Sequence, residues 1–243
     1  MKHIQPVLAS LFICFLIVSC AINHLNEKKT TITLDKGDRT NQLLISVVKG
    51  PQWSHEFRPG PFVIHVYPQM AFWIENEAGE LIETLYLTGA DGKGFKHATR
   101  KQLSDKFYPL CFPTWASKMK QAGKRLPSNE APYSDAVTSA TPQSSYDLNI
   151  HMGALPESFT VFAEINKSMD WNATFTKEDT DWIGQPAVIY AAKIDSVNSD
   201  EAIHFEAIGF SNTTSGVSEV THDFTGIDTA LELVNGIQVE FKK

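Results

Sequence analysis

Met70-Ala71-Phe72-Trp73-Ile74-Glu75-Asn76-Glu77-Ala78-Gly79-Glu80-Leu81-Ile82-Glu83-Thr84-Leu85-Tyr86-Leu87 is a pair of apolar runs joined by a turn. Residues 70–74 and 81–87 are the right length for strands, and Asn76-Glu77-Ala78-Gly79 between them supplies the residue types of a tight reversal. The stretch reads as a β-hairpin. Working outward, residues 30–34 alternate and are rich in β-branched side chains. Residues 43–48 and 62–67 are apolar runs bounded by Gly and Pro. Residues 146–151, 159–165, 188–194 and 203–210 continue the pattern. Turn residues separate the runs and no long helical period intervenes, which predicts an antiparallel β-sandwich.

Three stretches depart from this pattern. Residues 96–106 and 114–124 are polar with helical spacing, inside an insertion at about residues 88–145. Ile227, Ala230, Leu231 and Val234 fall at i, i+3, i+4 and i+7, which predicts an amphipathic helix over residues 225–235 before a last strand at 236–241. Residues 128–144, rich in Pro, Ser, Thr and Ala, read as a loop.

The beginning of the chain has a different character. Lys2 precedes an apolar run at residues 7–18, and Ser19 and Cys20 follow it. A basic start, a short apolar stretch and a small-residue exit make a secretory signal. Twelve apolar residues are too few to span a hydrocarbon core, which takes about 20 in a helix. Ile17-Val18-Ser19-Cys20 resembles the lipobox of bacterial lipoproteins. The resemblance implies a signal peptide at residues 1–19 and cleavage before Cys20. It also implies acylation of Cys20, with residues 20–29 as a lipidated N-terminus and linker. Ala21, where an aspartate would imply inner-membrane retention, implies an outer-membrane lipoprotein facing the periplasm in a diderm cell.

Loss of Lys2 with the signal leaves 20 basic against 28 acidic residues, a net charge of -8. So acidic a chain is not built for non-specific binding to nucleic acid or to anionic lipid. The expected hold on the membrane is therefore the lipid. Of the three cysteines, Cys14 leaves with the signal and Cys20 carries lipid. Cys111 then has no partner for an intramolecular disulfide, and between Leu110 and Phe112 it reads as a buried apolar filler.

The hairpin over residues 72–85 looks like the paired strands of flagellar hook-capping-type Ig-like domains. It also looks like those of a family of predicted periplasmic proteins with no settled function. That family continues with a Pro-x-Trp, here Pro113-Thr114-Trp115. An Asp-Ala-Val-Ser-Gly-Ala-Thr-like loop follows, here Asp135 to Thr141. Next comes a polar strand, here with Glu164, Asn166, Ser168, Asp170 and Asn172. The resemblance implies a single Ig-like β-sandwich over residues 30–243 with a helical insertion and a C-terminal helix.

Residues 135–141 are also similar to the acceptor motif of extracytoplasmic flavin transferases, with Ser139 in place of the motif glycine. On that match Thr141 would carry covalent FMN, and Asp135 and Thr138 would be recognition positions. The alternative is a hydroxyl-rich turn bonding nearby amides.

Asn166, Ser168, Asp170, Asn172 and Thr174 alternate and could share one strand face, as a polar outer surface or as oxygen ligands for Ca²⁺. Isolated His65, His151 and His204 have no ligand spacing, and no metal site is expected from them. Trp53, Phe57 and Phe62 sit in a Pro- and Gly-containing segment, and Phe107, Tyr108, Phe112 and Trp115 in the insertion. They read as core packing or as an exposed patch for a partner. The expectation is a non-enzymatic envelope lipoprotein acting as a binding or accessory module, held to the membrane by Cys20, with other envelope proteins as partners. The alternative is an electron carrier with FMN on Thr141.

Overall fold

The computed structural model describes residues 29–88, 111–127, 138–139, 141–195, 201–212 and 218–243. In chain order the first strands are β1 (Thr30–Lys36), β2 (Asn41–Lys49), β3 (His55–Phe57), β4 (Ile64–Val66), β5 (Gln69–Glu75) and β6 (Leu81–Thr88). The helix α1 (Pro113–Gln121) follows, then β7 (Thr138–Ser139), β8 (Tyr146–Met152) and β9 (Ser158–Asn166). A single helical turn, α2 (Lys177–Thr180), precedes β10 (Val188–Asp195), β11 (Ile203–His204), β12 (Glu206–Asn212), β13 (Glu219–Thr221) and β14 (Val234–Lys242).

The protein is mainly β, with two large sheets packed on each other. The five-stranded sheet runs β1-β8-β2-β14-β11 and the seven-stranded sheet β13-β12-β10-β9-β5-β6-β7. Pairing is antiparallel except at two edges, where β1 lies parallel to β8 and β7 parallel to β6. β3 and β4 form a small separate hairpin. Leu43, Ile45 and Val47 of β2 and Leu148 and Ile150 of β8 face Phe72 of β5 and Val161 and Ala163 of β9, all in one buried cluster. The outer face of the five-stranded sheet is polar. There Ser46 donates to Asp147 at 2.6 Å and Gln42 to Asn149 at 2.6 Å.

The quoted hairpin forms as expected. Asn76 Oδ1 accepts from the N–H groups of Ala78 and Glu80, and Gly79 takes a φ of 75°, a left-handed value that glycine adopts without strain. The apolar run of β5 has a further cause: it is covered on both faces. Helix α1 packs on the outer face of the seven-stranded sheet through Phe112, Trp115, Ala116 and Met119, against Ala71, Trp73 and Leu87. Trp73 stacks on Phe162 with ring centroids 5.3 Å apart. Trp115 Nε1 donates to Thr84 at 3.0 Å, and Lys118 Nζ reaches Glu75 and the Gly79 carbonyl at 2.8 Å each. Expected helicity at 114–124 is thus met by α1, while 96–106 lies outside the described residues.

The expected C-terminal helix over 225–235 is not formed. A 3₁₀ turn at Thr229–Glu232 stands in its place, and β14 begins at Val234. Ile227, Ala230 and Val234 are buried, so the spacing correctly marks inward positions. The backbone is claimed by other partners: Asp228 caps Thr229 at 2.5 Å, and Val234 pairs with Lys49. One turn is too short to propagate as a helix. The run at 203–210 also divides, because β11 pairs with β14 in one sheet and β12 with β10 in the other. Phe205 between them donates to the Ile237 carbonyl at 2.9 Å.

One end of the sheet stack is fixed by register. Thr30 pairs with Tyr146, Tyr146 with Val47, and Lys49 with Val234. In the other sheet β5 begins opposite the end of β9, with Gln69 paired to Asn166. The chain therefore enters β1 at this proximal end, and the turn 76–79 lies at the distal end. Replacing Trp115 by Ala removes the centre of the packing beneath α1 and should cost about 3–5 kcal/mol of unfolding free energy. Chemical denaturation would show it; a change below ~1 kcal/mol would mean that the helix contributes little.

Candidate functional site

β9 ends in Ala163-Glu164-Ile165-Asn166, with Lys167 directly after it, and the two charged residues go to different surroundings. Ala163 and Ile165 point into the core between the sheets. Glu164, one residue out of phase, points to the outer face and is fully buried there. Its two carboxyl oxygens accept from the N–H of Thr114 at 3.1 Å and from that of Trp115 at 2.8 Å. These are orphan amides of the first turn of α1. Phe112 at the N-cap provides no side-chain cap, and Pro113 has no N–H to satisfy. A carboxyl group from a distant strand thus does the work of an N-cap.

Burial pushes the Glu164 carboxyl up to about 8, against the pull of the Trp115 and Thr114 amides and the Ser211 and Thr114 hydroxyls. Cys111 lies beside it, and burial raises its thiol far above the usual range, with the Glu164 charge adding to the shift. Thiolate chemistry needs the opposite environment. Cys111 and Glu164 therefore act as packing and capping groups, and Cys111 is a buried filler as its neighbours in sequence imply.

Lys167 forms a second cluster at the proximal end. Its side chain is 1% exposed. Nζ donates to the Gln52 carbonyl at 2.8 Å and stands 3.5 Å from Asp170 Oδ1. Asp170 Oδ2 accepts from the Thr229 hydroxyl at 3.0 Å and from Gln185 Nε2 at 3.3 Å, while Gln185 Oε1 accepts from the Asp228 N–H at 3.0 Å. The path from Lys167 to Asp170 passes through Met169 at φ 62°, a left-handed value that is costly for a residue with a Cβ. At Gly184 a Cβ would come within 2.5 Å of the Asp170 nitrogen, so that approach requires glycine. Burial holds Lys167 below its ordinary value, and the charge and hydrogen bond of Asp170 offset only part of that pull. His55 is held below its ordinary value by burial and then by the Lys167 charge. Both its ring nitrogens are enclosed without a hydrogen-bond partner among the described residues.

This cluster overturns the reading of residues 166–174 as one strand face. β9 stops at Asn166, and the alternate residues find separate partners. Asn166 donates to the Gln185 carbonyl at 2.8 Å, and Asn172 to that of Gly226 at 2.8 Å. Asn172 Oδ1 also accepts from Thr174 and Phe175 in a side-chain turn. Among the described residues no group of three His, Cys, Asp or Glu side chains is placed to hold a metal ion.

Of the flavin-motif positions, Asp135 lies outside the described residues, as does Cys20. Thr138 falls in the edge strand β7, opposite Leu87, so the stretch expected as loop contains a short parallel strand. Thr141 is half-buried and its hydroxyl donates to the Pro68 carbonyl. Glu164 and Lys167 were not singled out for burial by sequence. The available signal is a charged residue on each side of Ile165, at the end of an otherwise apolar strand. No helix among the described residues is long and apolar enough to cross a membrane. No protein-family model, curated protein or solved structure matches the chain.

Two outcomes test these assignments. Asp170→Ala leaves a buried ammonium uncompensated and should cost about 3–5 kcal/mol in a denaturation experiment. A neutral result would place the Lys167 charge in water. For Glu164 the fold holds the neutral acid more tightly than the unfolded chain does. That contribution is complete below the ordinary value of 4.5 and is lost as pH rises through about 8. The stability of the protein relative to its Glu164→Gln variant should therefore fall across this interval. A difference independent of pH would show that the carboxyl keeps an ordinary affinity for its proton.

Proposed function

We propose that this chain is an envelope lipoprotein, acylated at Cys20 and held to the outer membrane facing the periplasm. Its body is an Ig-like β-sandwich that serves as a binding or accessory module for other envelope proteins, without chemistry of its own. One observation carries the reading: among the described residues, the buried Glu164 and Lys167 are committed to holding the fold together. Glu164 is spent on the amides of α1 and Lys167 on the Gln52 carbonyl and Asp170. The lipobox-like sequence before Cys20 supplies the anchor, and residues 21–29 supply a tether of at most ~30 Å. The body then stays close to the bilayer.

The electron-carrier alternative rests on Thr141. Its hydroxyl is engaged with the Pro68 carbonyl, so attachment of FMN requires that contact to open or to form afterwards. Intact mass and visible absorption of protein taken from its own envelope separate the two. Acyl groups alone are expected; the added mass of one FMN with a flavin spectrum would replace the binding-module reading by the carrier. Cys20→Ala should lose the acyl mass and move to the soluble fraction. A variant that stayed acylated and membrane-bound would refute anchoring at Cys20.

A further inference from the structure

Phe62 and Val63 are the large apolar side chains that remain exposed among the described residues, at 69% and 46%. They sit together in Pro59-Gly60-Pro61-Phe62-Val63, the uncharged tip of the β3–β4 hairpin. At the root Val66 is buried and His55 is half-buried against the Lys167 cluster; exposure rises toward the tip. Phe57 braces the hairpin edge-on against Trp171, with centroids 6.2 Å apart. Trp171 Nε1 donates to the Asp181 carbonyl at 2.6 Å, and Lys177 Nζ lies 5.6 Å above the ring. The tip is therefore an apolar projection on a fixed base.

Its place in the fold suggests what it meets. The hairpin leaves the stack just after β2, where Gly50 and Gln52 are hydrogen-bonded to Leu233 and Glu232. That is the proximal end, where Thr30 pairs with Tyr146 and the chain comes in from its N-terminus. We propose that Phe62 and Val63 insert into the bilayer that holds the Cys20 lipid, as a second, apolar contact. This rests on the lipid-anchor reading.

Two exposed apolar side chains are too few to hold a free protein on a membrane. They suffice on a tethered one, because the lipid makes insertion an intramolecular event at high effective concentration. The tether reaches at most ~30 Å, so the proximal end cannot leave the bilayer's neighbourhood. With a net charge near -8 after loss of the signal, the attraction is apolar and needs no anionic lipid. Trp171 and Lys177 behind the tip form an amphipathic pair suited to headgroup depth.

The test uses the full acylated protein, purified from its envelope and reconstituted in phosphatidylcholine vesicles. An environment-sensitive fluorophore is attached at Val63→Cys or, as a control at the distal turn, at Glu77→Cys. Cys111 is fully buried and Cys20 blocked, so labelling is confined to the new thiol. Nitroxide-labelled lipid should quench the probe at 63 several-fold more than the probe at 77, and aqueous iodide should do the reverse. Equal quenching at the two positions by both agents overturns the insertion and leaves the anchor reading intact. A probe at 63 shielded from iodide yet untouched by nitroxide lipid overturns it in favour of contact between protein copies. An intact mass without acyl groups removes the anchor reading and this proposal with it.

Discussion

The seven-stranded sheet can be covered on both faces because one buried carboxyl group holds α1 to it. Without Glu164, the amides of Thr114 and Trp115 would face an apolar layer with no acceptor from the N-cap residue itself. An unsatisfied buried amide costs about 1–3 kcal/mol. The helix also makes the sheet's outer apolar positions tolerable. Trp73, Ala71 and Leu87 would otherwise form an exposed apolar band. Capping and burial therefore depend on each other: the Glu164 carboxyl is dry because the helix covers it, and the helix stays because that carboxyl satisfies its first turn.

Lys167, three residues on and just past the end of the same strand, does the corresponding task at the proximal end. It ties β9 to the Gln52 carbonyl beyond β2, and so joins the two sheets at their proximal end. A buried ammonium brings a desolvation cost that aliphatic packing would avoid. What it adds is direction. The Gln52 carbonyl, Asp170, Gln185 and Thr229 must be brought to one place, and the left-handed Met169 and the close approach at Gly184 are the backbone consequences. The three loops around residues 50–53, 167–185 and 224–232 are thereby set relative to one another.

Much of this architecture was legible in sequence where local pattern and burial agree. β8 alternates buried and half-buried residues without a break, and the hairpin at 70–87 announces itself through its turn. Legibility failed where tertiary pairing overrode local spacing. The helical period at 227–234 marks burial correctly, yet β2 claims the backbone of Val234 for its ladder. The run 203–210 looks continuous, but its two halves serve different sheets. The alternation at 166–174 is polar at every second position and still not a strand, because Asn172 and Asp170 make local and loop-to-loop bonds that end the ladder. Glu164 and Lys167 were hidden for a related reason: a charged residue is ordinarily an outward one, and nothing local reveals the helix or carbonyl that waits for it.

The asymmetry between the two ends of the stack gives the fold a polarity. The distal end closes with tight, solvated turns such as Asn76–Gly79, where side chains satisfy the backbone locally. The proximal end carries the buried ion pair, the strained Met169, the exposed apolar tip and the first strand of the chain. Strain and buried charge are costly, and they persist only where surrounding contacts over-determine them. Here the contacts come from three loops and the base of a hairpin, so the stiffness they produce is delivered to that hairpin. A flexible apolar tip would fold back onto the body to escape water. One braced by Phe57 against Trp171 and rooted at Val66 cannot, and stays presented at the end from which the chain's N-terminal segment extends.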